Sequence, residues 1–264
     1  MTKELATLNI VIPMAGAGSR FAKAGYQDPK PLIPVCGKPM IEIVVENLRP
    51  SRPHHFIFIC QQTHIEKYDL KNKLKAIAPN CSIIEIQELT EGAACTVLES
   101  KPIINNNNPL MIANSDQYID YSIDSYLEKM ERENLDGLIM TMKANDPKWS
   151  FVGFDDTGNN VSRVAEKQVI SNEATVGIYN FAHGSDFVSA AEQMIKNNER
   201  VNGEFYVAPV YNTLIAAKKY NVGTVNIGKE LDGMYGLGIP ADLNNFLTTD
   251  IAKTLVEHNG NHIS

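Results

Sequence analysis

The chain has 264 residues, 44% apolar and 21% charged, a globular composition that excludes a disordered or low-complexity protein. Its 24 Lys and Arg against 31 Asp and Glu give a net charge of −7, a poor match for nucleic acid or an anionic membrane surface. No run approaches the roughly 20 apolar residues of a membrane span. Residues 1–8 carry no apolar run before a cleavage site, so no secretory signal is expected. Cys36, Cys60, Cys81 and Cys95 form no C-x-x-C pair and sit among apolar or small residues. They read as buried, reduced thiols of a cytoplasmic protein.

Residues 8–14 read as a buried strand, 39–48 as a helix opened by a proline, and 55–60 as a second strand. Helical spacing with lysines on the polar face covers 64–78. A third strand over 82–86 precedes a short helix over 92–100. The fourth strand, 110–113, ends at Asn114-Ser115-Asp116, and a helix over 122–134 leads to a fifth strand over 138–143. Such alternation predicts an α/β fold with a mostly parallel sheet covered on both faces. After about Asn145 the rhythm changes. Strands are expected over 149–155, 161–164 and 174–181, helices over 185–196 and 205–220, a late strand over 222–227 and a closing helix over 240–258. No Pro/Gly/Ser linker separates the halves, so one domain is expected, its first half ending near residue 145, with a frayed tail from Asn259.

The strongest chemical signal is Ala15-Gly16-Ala17-Gly18-Ser19-Arg20, directly after the first strand. Glycines there let backbone N–H groups turn toward an anion without a Cβ in the way. Arg20 adds a permanently charged fork for phosphate oxygens. No Gly-Lys-Ser/Thr follows, so this is not a P-loop, and it departs from the dinucleotide fingerprint at Arg20-Phe21. A few residues on, Asp28-Pro29-Lys30-Pro31-Leu32 places a lysine between two prolines. The prolines hold the segment extended, which lowers the entropic cost of setting Lys30 on a phosphate. The six histidines show no metal spacing, and no Ser/His/Asp or Cys/His arrangement is legible.

These segments resemble the sugar-1-phosphate nucleotidyltransferases and their cytidylyltransferase relatives, over roughly residues 8–250. The shared signature is A-G-x-G-[ST]-R followed by P-K-P-L, here Ala15 to Arg20 and Pro29 to Leu32. The resemblance implies a GT-A-like (Rossmann-like), mostly parallel mixed sheet flanked by helices. A nucleotide-binding first half, about 1–145, would be followed by an elaborated acceptor-binding second half, about 146–258. It implies catalytic roles for Arg20, Lys30 and Asp116, with Asp116 on Mg²⁺. Ala15, Gly16, Ala17, Gly18 and Ser19 would hold phosphate, and Gln87 and Gly92 would face the base. Thr90 also fits the N-cap of the helix that follows. Around the acceptor it implies Glu166 and Lys167, with Thr175 and Gly177, and more weakly Glu204 of Asn202-Gly203-Glu204-Phe205-Tyr206.

Two departures stand out. The family's D-[IVL]-G-T-P-E-D frame falls on Gly236 to Asp242, with Gly236 where a second metal-binding aspartate is usual. Asp232 is a candidate replacement. Gln168 and Pro209 also replace residues common in sugar enzymes, both on the acceptor side. The implied reaction is transfer of a nucleoside monophosphate from an NTP to a phosphorylated small molecule, with release of pyrophosphate. CTP is the first expectation from Thr90-Glu91-Gly92-Ala93-Ala94-Cys95-Thr96, with UTP and dTTP open. Surface-polysaccharide biosynthesis is the expected setting. Two alternatives stay open: a GT-A glycosyltransferase using a nucleotide sugar, and a non-catalytic nucleotide-binding regulatory subunit. Neither nucleic acid nor a membrane span is an expected partner. A homo-oligomer is expected only by analogy.

Overall fold

The computed structural model describes residues 5–260, apart from Ala17, Asn159, Lys218 and Lys219. Among them the strands in chain order are β1 (Leu8–Pro13), β2 (Pro34–Val35), β3 (Lys38–Pro39), β4 (His54–Gln61), β5 (Ser82–Ile86), β6 (Leu110–Ala113) and β7 (Gln117–Ile119). Then follow β8 (Gly137–Lys143), β9 (Ser150–Phe154), β10 (Val161–Glu166), β11 (Glu173–Phe181), β12 (Val222–Glu230) and β13 (Gly233–Gly236). β1 is a continuous apolar run because it is buried on both faces and pairs in parallel with β4 and β6. The sheet runs β5-β4-β1-β6-β11-β8-β12-β13-β7, with the β9–β10 pair attached through β11 and a separate β2–β3 pair. Strands from both halves of the chain therefore share one mixed sheet. β11 lies antiparallel between β6 and β8, while β12 pairs in parallel with β8.

From β1 the chain passes outward to β4 and β5, then returns to β6 on the other side. Ligands of open α/β sheets bind beyond the carboxyl ends of strands at such a reversal. The two large apolar clusters include Phe58 and Met140 in one and Phe181 and Phe187 in the other. A third, smaller cluster joins Phe21, Ile33, Tyr235, Leu237, Leu243 and Phe246. It ties the loops after β1 to the segment after β13, and each fully buried aromatic in it contributes about 1.5–3 kcal/mol.

Several helices are shorter than the periodicity predicts. The helix expected over 64–78 is two, Gln62–Tyr68 and Leu70–Ile77, broken where Asp69 adopts φ 50°. Asp is among the few residues that visit that conformation readily. The closing helix is also two, Pro240–Leu247 and Asp250–Gly260, and Thr249 Oγ1 accepts a hydrogen bond from the Ala252 N–H at 3.2 Å. Asn259 and Gly260 continue that second helix; residues 261–264 of the expected tail lie outside the described residues. The helix expected over 205–220 is Val210–Ala216, because Phe205 instead spends its N–H and carbonyl on residues 91 and 94. Of the cysteines only Cys60 is fully buried, its thiol pushed up to about 12 by burial. The other three are half-buried.

Candidate active site

A cleft of about 470 Å³ opens at the carboxyl ends of β1 and β6. Gly16, Lys30, Gly92, Asn114, Asp116 and Glu204 are among its walls. β1 ends at Pro13, so Ala15 and Gly16 leave the sheet facing the cleft. A Cβ at Gly16 would meet nothing within 4 Å, leaving the space in front of its backbone free. Gly18 turns the chain at φ +59° into the short helix Ser19–Lys23, and a Cβ there would stand 3.5 Å from Lys30 Cβ. Ser19 and Arg20 are exposed on that helix, and Arg20 does not line the cleft. Ala17 lies outside the described residues.

Lys30 opens a one-turn 3₁₀ helix, Lys30–Leu32, entered from extended Pro29. Buried Pro31 and Leu32 anchor it. Lys30 Nζ donates to Asp116 Oδ2 at 2.9 Å, with the two side chains 21% and 25% exposed. Asp116 sits in the link between β6 and β7, where its carbonyl accepts from the Leu237 N–H at 2.8 Å. The structure thus joins the lysine of Pro-Lys-Pro and the aspartate after β6 across the cleft.

In the segment expected to face the base, Gly92 adopts φ +132° and opens the helix Ala93–Leu98. A Cβ there would stand 2.5 Å from the Phe205 carbonyl oxygen and 2.6 Å from its nitrogen. Phe205 N–H donates to Glu91 O at 2.9 Å, and Ala94 N–H donates to Phe205 O at 3.0 Å. Arg200 reinforces the junction, donating to Glu91 Oε1 at 2.9 Å and lying over the Phe205 ring at 4.1 Å. Thr90 is not the N-cap. Its hydroxyl instead pairs with Thr96 Oγ1 at 2.6 Å and donates to Gly92 O at 3.0 Å. Gln87 is exposed just past β5 and does not line the cleft, whereas Leu89 and Thr90 do.

On the second-half side, Glu204 lines the same cleft as Lys30 and Asp116, while Glu166, Lys167, Thr175 and Gly177 lie outside its walls. The Ser150 hydroxyl donates to Glu166 Oε2, and burial pushes the Glu166 carboxyl above the usual carboxylate range. A raised carboxyl binds its proton more tightly folded than unfolded. Stability is thus full below the ordinary carboxylate range and falls as pH rises through the raised value. Thermal melts across pH 4 to 7 (roughly the carboxylate range and above) should therefore fall more steeply for the wild type than for Glu166→Gln. Lys167 is held at φ +54°, and its Nζ donates to the Tyr206 hydroxyl at 2.5 Å, a bond that raises the Lys167 pKa. Buried Thr175 pairs with Tyr179 OH at 2.9 Å. Gly177, at φ +81°, abuts the Asn114 amide so closely that no Cβ would fit.

Asp232 lies on an exposed turn, 3.7 Å from Lys229, away from the cleft walls. Tyr206, Ser150 and Asn114 were not singled out from the sequence. Tyr206 and Asn114 stand within the segments that carry Glu204 and Asp116, while nothing in the sequence marks Ser150. Asp116 offers hard oxygen donors suited to Mg²⁺. A Cβ at Gly238 would stand 2.5 Å from Asp116 Oδ2, so the absent side chain keeps a cradle open around that carboxylate. Among the described residues no three His, Cys, Asp or Glu side chains converge on one metal position. A divalent ion at Asp116 would complete its shell with phosphate oxygens and water, the usual habit of Mg²⁺.

A family model described as nucleotidyl transferase matches residues 10–221. The chain is 25% identical over 179 residues to the mannose-1-phosphate guanylyltransferase catalytic subunit beta of Danio rerio, covering 66% of this chain and 50% of that protein. It is 27% identical over 257 residues to the bifunctional protein GlmU of Methanococcus maripaludis, covering 93% of this chain and 56% of that one. The chain thus spans about half the length of the curated relatives it matches. The solved nucleoside-diphosphate-sugar pyrophosphorylase of Vibrio cholerae superposes with a TM-score of 0.76 at 26% identity, covering 91% of this chain and all of that one. The inositol-1-phosphate CTP transferase of T. maritima shares the fold, with a TM-score of 0.72 at 13% identity and 97% coverage of both chains. With the glycine turn, the Lys30–Asp116 pair and a family match over most of its length, this chain belongs to the nucleotidyl transferase family.

Proposed function

We propose that the protein transfers a nucleoside monophosphate from an NTP to a phosphorylated small molecule, such as a sugar phosphate, and releases pyrophosphate. The observation that carries this reading is the Lys30–Asp116 pair at 2.9 Å beside the open backbone of Gly16. A cation and a carboxylate facing one glycine-walled cleft suit a triphosphate with its divalent ion. An acceptor phosphate monoester is already an anionic nucleophile near neutral pH, so little proton transfer is needed. The barrier lies in bringing anions together and in the charge developing on the leaving pyrophosphate. Lys30 meets that charge, with Arg20 adding to the field from the adjoining helix. Asp116 would hold Mg²⁺, which when bound neutralises and orients the phosphates.

In this reading residues of about 1–145 bind the nucleotide and those of about 146–258 the acceptor, with Lys167 taking the acceptor phosphate and Glu166 a hydroxyl. Gly92, Ala93 and Thr96 leave a small-residue wall for the base, and CTP is the first nucleotide to test, then UTP and dTTP. We place the protein in the cytoplasm, in surface-polysaccharide biosynthesis. Tyr206→Phe removes the hydroxyl that holds Lys167, and should raise KM for the acceptor about tenfold with kcat little changed, since hydrogen bonds to charged groups contribute about 1.5–3 kcal/mol. Steady-state kinetics at saturating NTP reads this directly.

The reading as a whole is tested by incubation with Mg²⁺, each of CTP, UTP, dTTP, GTP and ATP, and a panel of phosphorylated acceptors. Pyrophosphate release with one NTP and one acceptor class is the expected result. Folded protein that binds an NTP calorimetrically but releases nothing with any acceptor would favour a regulatory subunit. Binding of a nucleotide sugar but no NTP would favour a glycosyltransferase.

A further inference from the structure

We infer that Ser150 is a positioning residue for the acceptor: backed by Tyr179 and Thr175, it holds Glu166 Oε2 and leaves Oε1 to receive an acceptor hydroxyl. The inference rests on the proposed transfer to a phosphorylated acceptor, and adds to it the residues that aim Glu166. β9 and β10 run antiparallel, and their register sets Ser150 directly opposite Glu166. Residues paired in this way put their side chains on one face, within reach of each other. The Ser150 hydroxyl donates to Glu166 Oε2, and among the described residues Oε1 makes no hydrogen bond. Beside β9 lies β11, joined to it by the pairing of Ala174 with Phe151. It brings the buried Thr175 and Tyr179 hydroxyls together at 2.9 Å, and the Tyr179 hydroxyl is also hydrogen-bonded with that of Ser150.

The row of hydroxyls has one direction. An ionised carboxylate only accepts, and each hydroxyl has one proton to give. Ser150 gives its proton to Glu166, so its oxygen accepts from Tyr179, whose oxygen in turn accepts from Thr175. Every donor points toward Oε2. The last bond is charge-assisted, and the bonds behind it polarise one another in the same sense. Polar groups are costly to bury unless they are hydrogen-bonded, so this row is kept at the expense of an apolar core. Burial opposes the ionised form of Glu166, as does the charge of Glu204, while the Ser150 bond and Lys167 favour it. Glu166 stands outside the cleft walls, but Glu204, on the wall, is close enough for its charge to act on it.

The test is steady-state pyrophosphate release by the full chain across pH, with acceptor and NTP varied separately. Ser150→Ala is expected to raise acceptor KM about tenfold and Tyr179→Phe about threefold, because a bond to a charged group is worth more than one between neutral groups. KM for the NTP should not change. Without the Ser150 hydroxyl the Glu166 carboxyl titrates higher, so the acid limb of kcat/KM for the acceptor moves to higher pH. Ser150→Thr keeps the hydroxyl, and should bring acceptor KM and the acid limb back toward wild type. Thr141→Val removes a buried hydroxyl that lies opposite Thr175 without a partner, and should change neither. An unchanged acceptor KM in Ser150→Ala, or equal rises in both KM values, would overturn the inference and leave the transferase standing. Isotope-edited infrared titration of the Glu166 carboxyl reads the hydroxyl row without catalysis, and the same titration point in wild type and Ser150→Ala would also overturn it. No release by the wild type with any acceptor would overturn the transferase reading, and the acceptor role given to Ser150 with it.

Discussion

Lys30→Ala is expected to lower kcat for pyrophosphate release by on the order of 10²–10³, the usual cost of removing one preorganised charge from a site where anionic charge develops. Among the described residues no other cation lines the cleft, because Arg20 lies outside it. Folding should survive. The Lys30–Asp116 pair is a fifth to a quarter exposed, and pairs open to solvent are worth about 0–1 kcal/mol. A thermal melt close to wild type together with the kcat loss would separate catalysis from stability. A variant with unchanged kcat would remove Lys30 from the mechanism.

Gly92→Ala should be the most damaging single change on the cleft wall. The residue is at φ +132°, where an L side chain is strained by about 1–3 kcal/mol, and its Cβ would lie 2.5–2.6 Å from Phe205 backbone atoms. Those atoms cannot step back cheaply, because they hold the hydrogen bonds to Glu91 O and from Ala94 N–H. The expected drop in Tm is about 2–12 °C, from roughly 2–4 °C per kcal/mol in a chain of this size. Calorimetric NTP affinity should fall with it, because the turn proposed to face the base is displaced. Gly16→Ala gives the contrast. Its Cβ meets nothing within 4 Å, so its Tm should stay near wild type while NTP binding weakens. Equal Tm losses in the two variants would show that crowding at Phe205 is not what requires glycine at 92.

Much of the framework was legible because local pattern and tertiary role coincide. Continuous apolar runs such as Leu8–Pro13 and Leu110–Ala113 have only one comfortable place, the middle of a sheet covered on both faces. Glycine after the first strand and proline on both sides of Lys30 are backbone requirements, and backbone requirements are written in residue type. Helix ends were less legible. Asp69 can continue a helix or take positive φ, and Phe205 could have begun one had the segment after β5 not claimed its backbone.

By itself, the sequence determined the α/β class, the order of its main elements, the glycine turn, a proline-framed lysine and an aspartate at a strand end. Each follows from short-range chemistry within a few residues. Only the tertiary structure decided that Lys30 meets Asp116, that Glu204 shares their cleft, that Tyr206 holds Lys167, and that Asp232 lies away from the cleft walls. The Lys30–Asp116 and Lys167–Tyr206 contacts join residues 86 and 39 positions apart in the chain. Their geometry is set by how the elements of the fold pack, not by any local preference of the residues that meet.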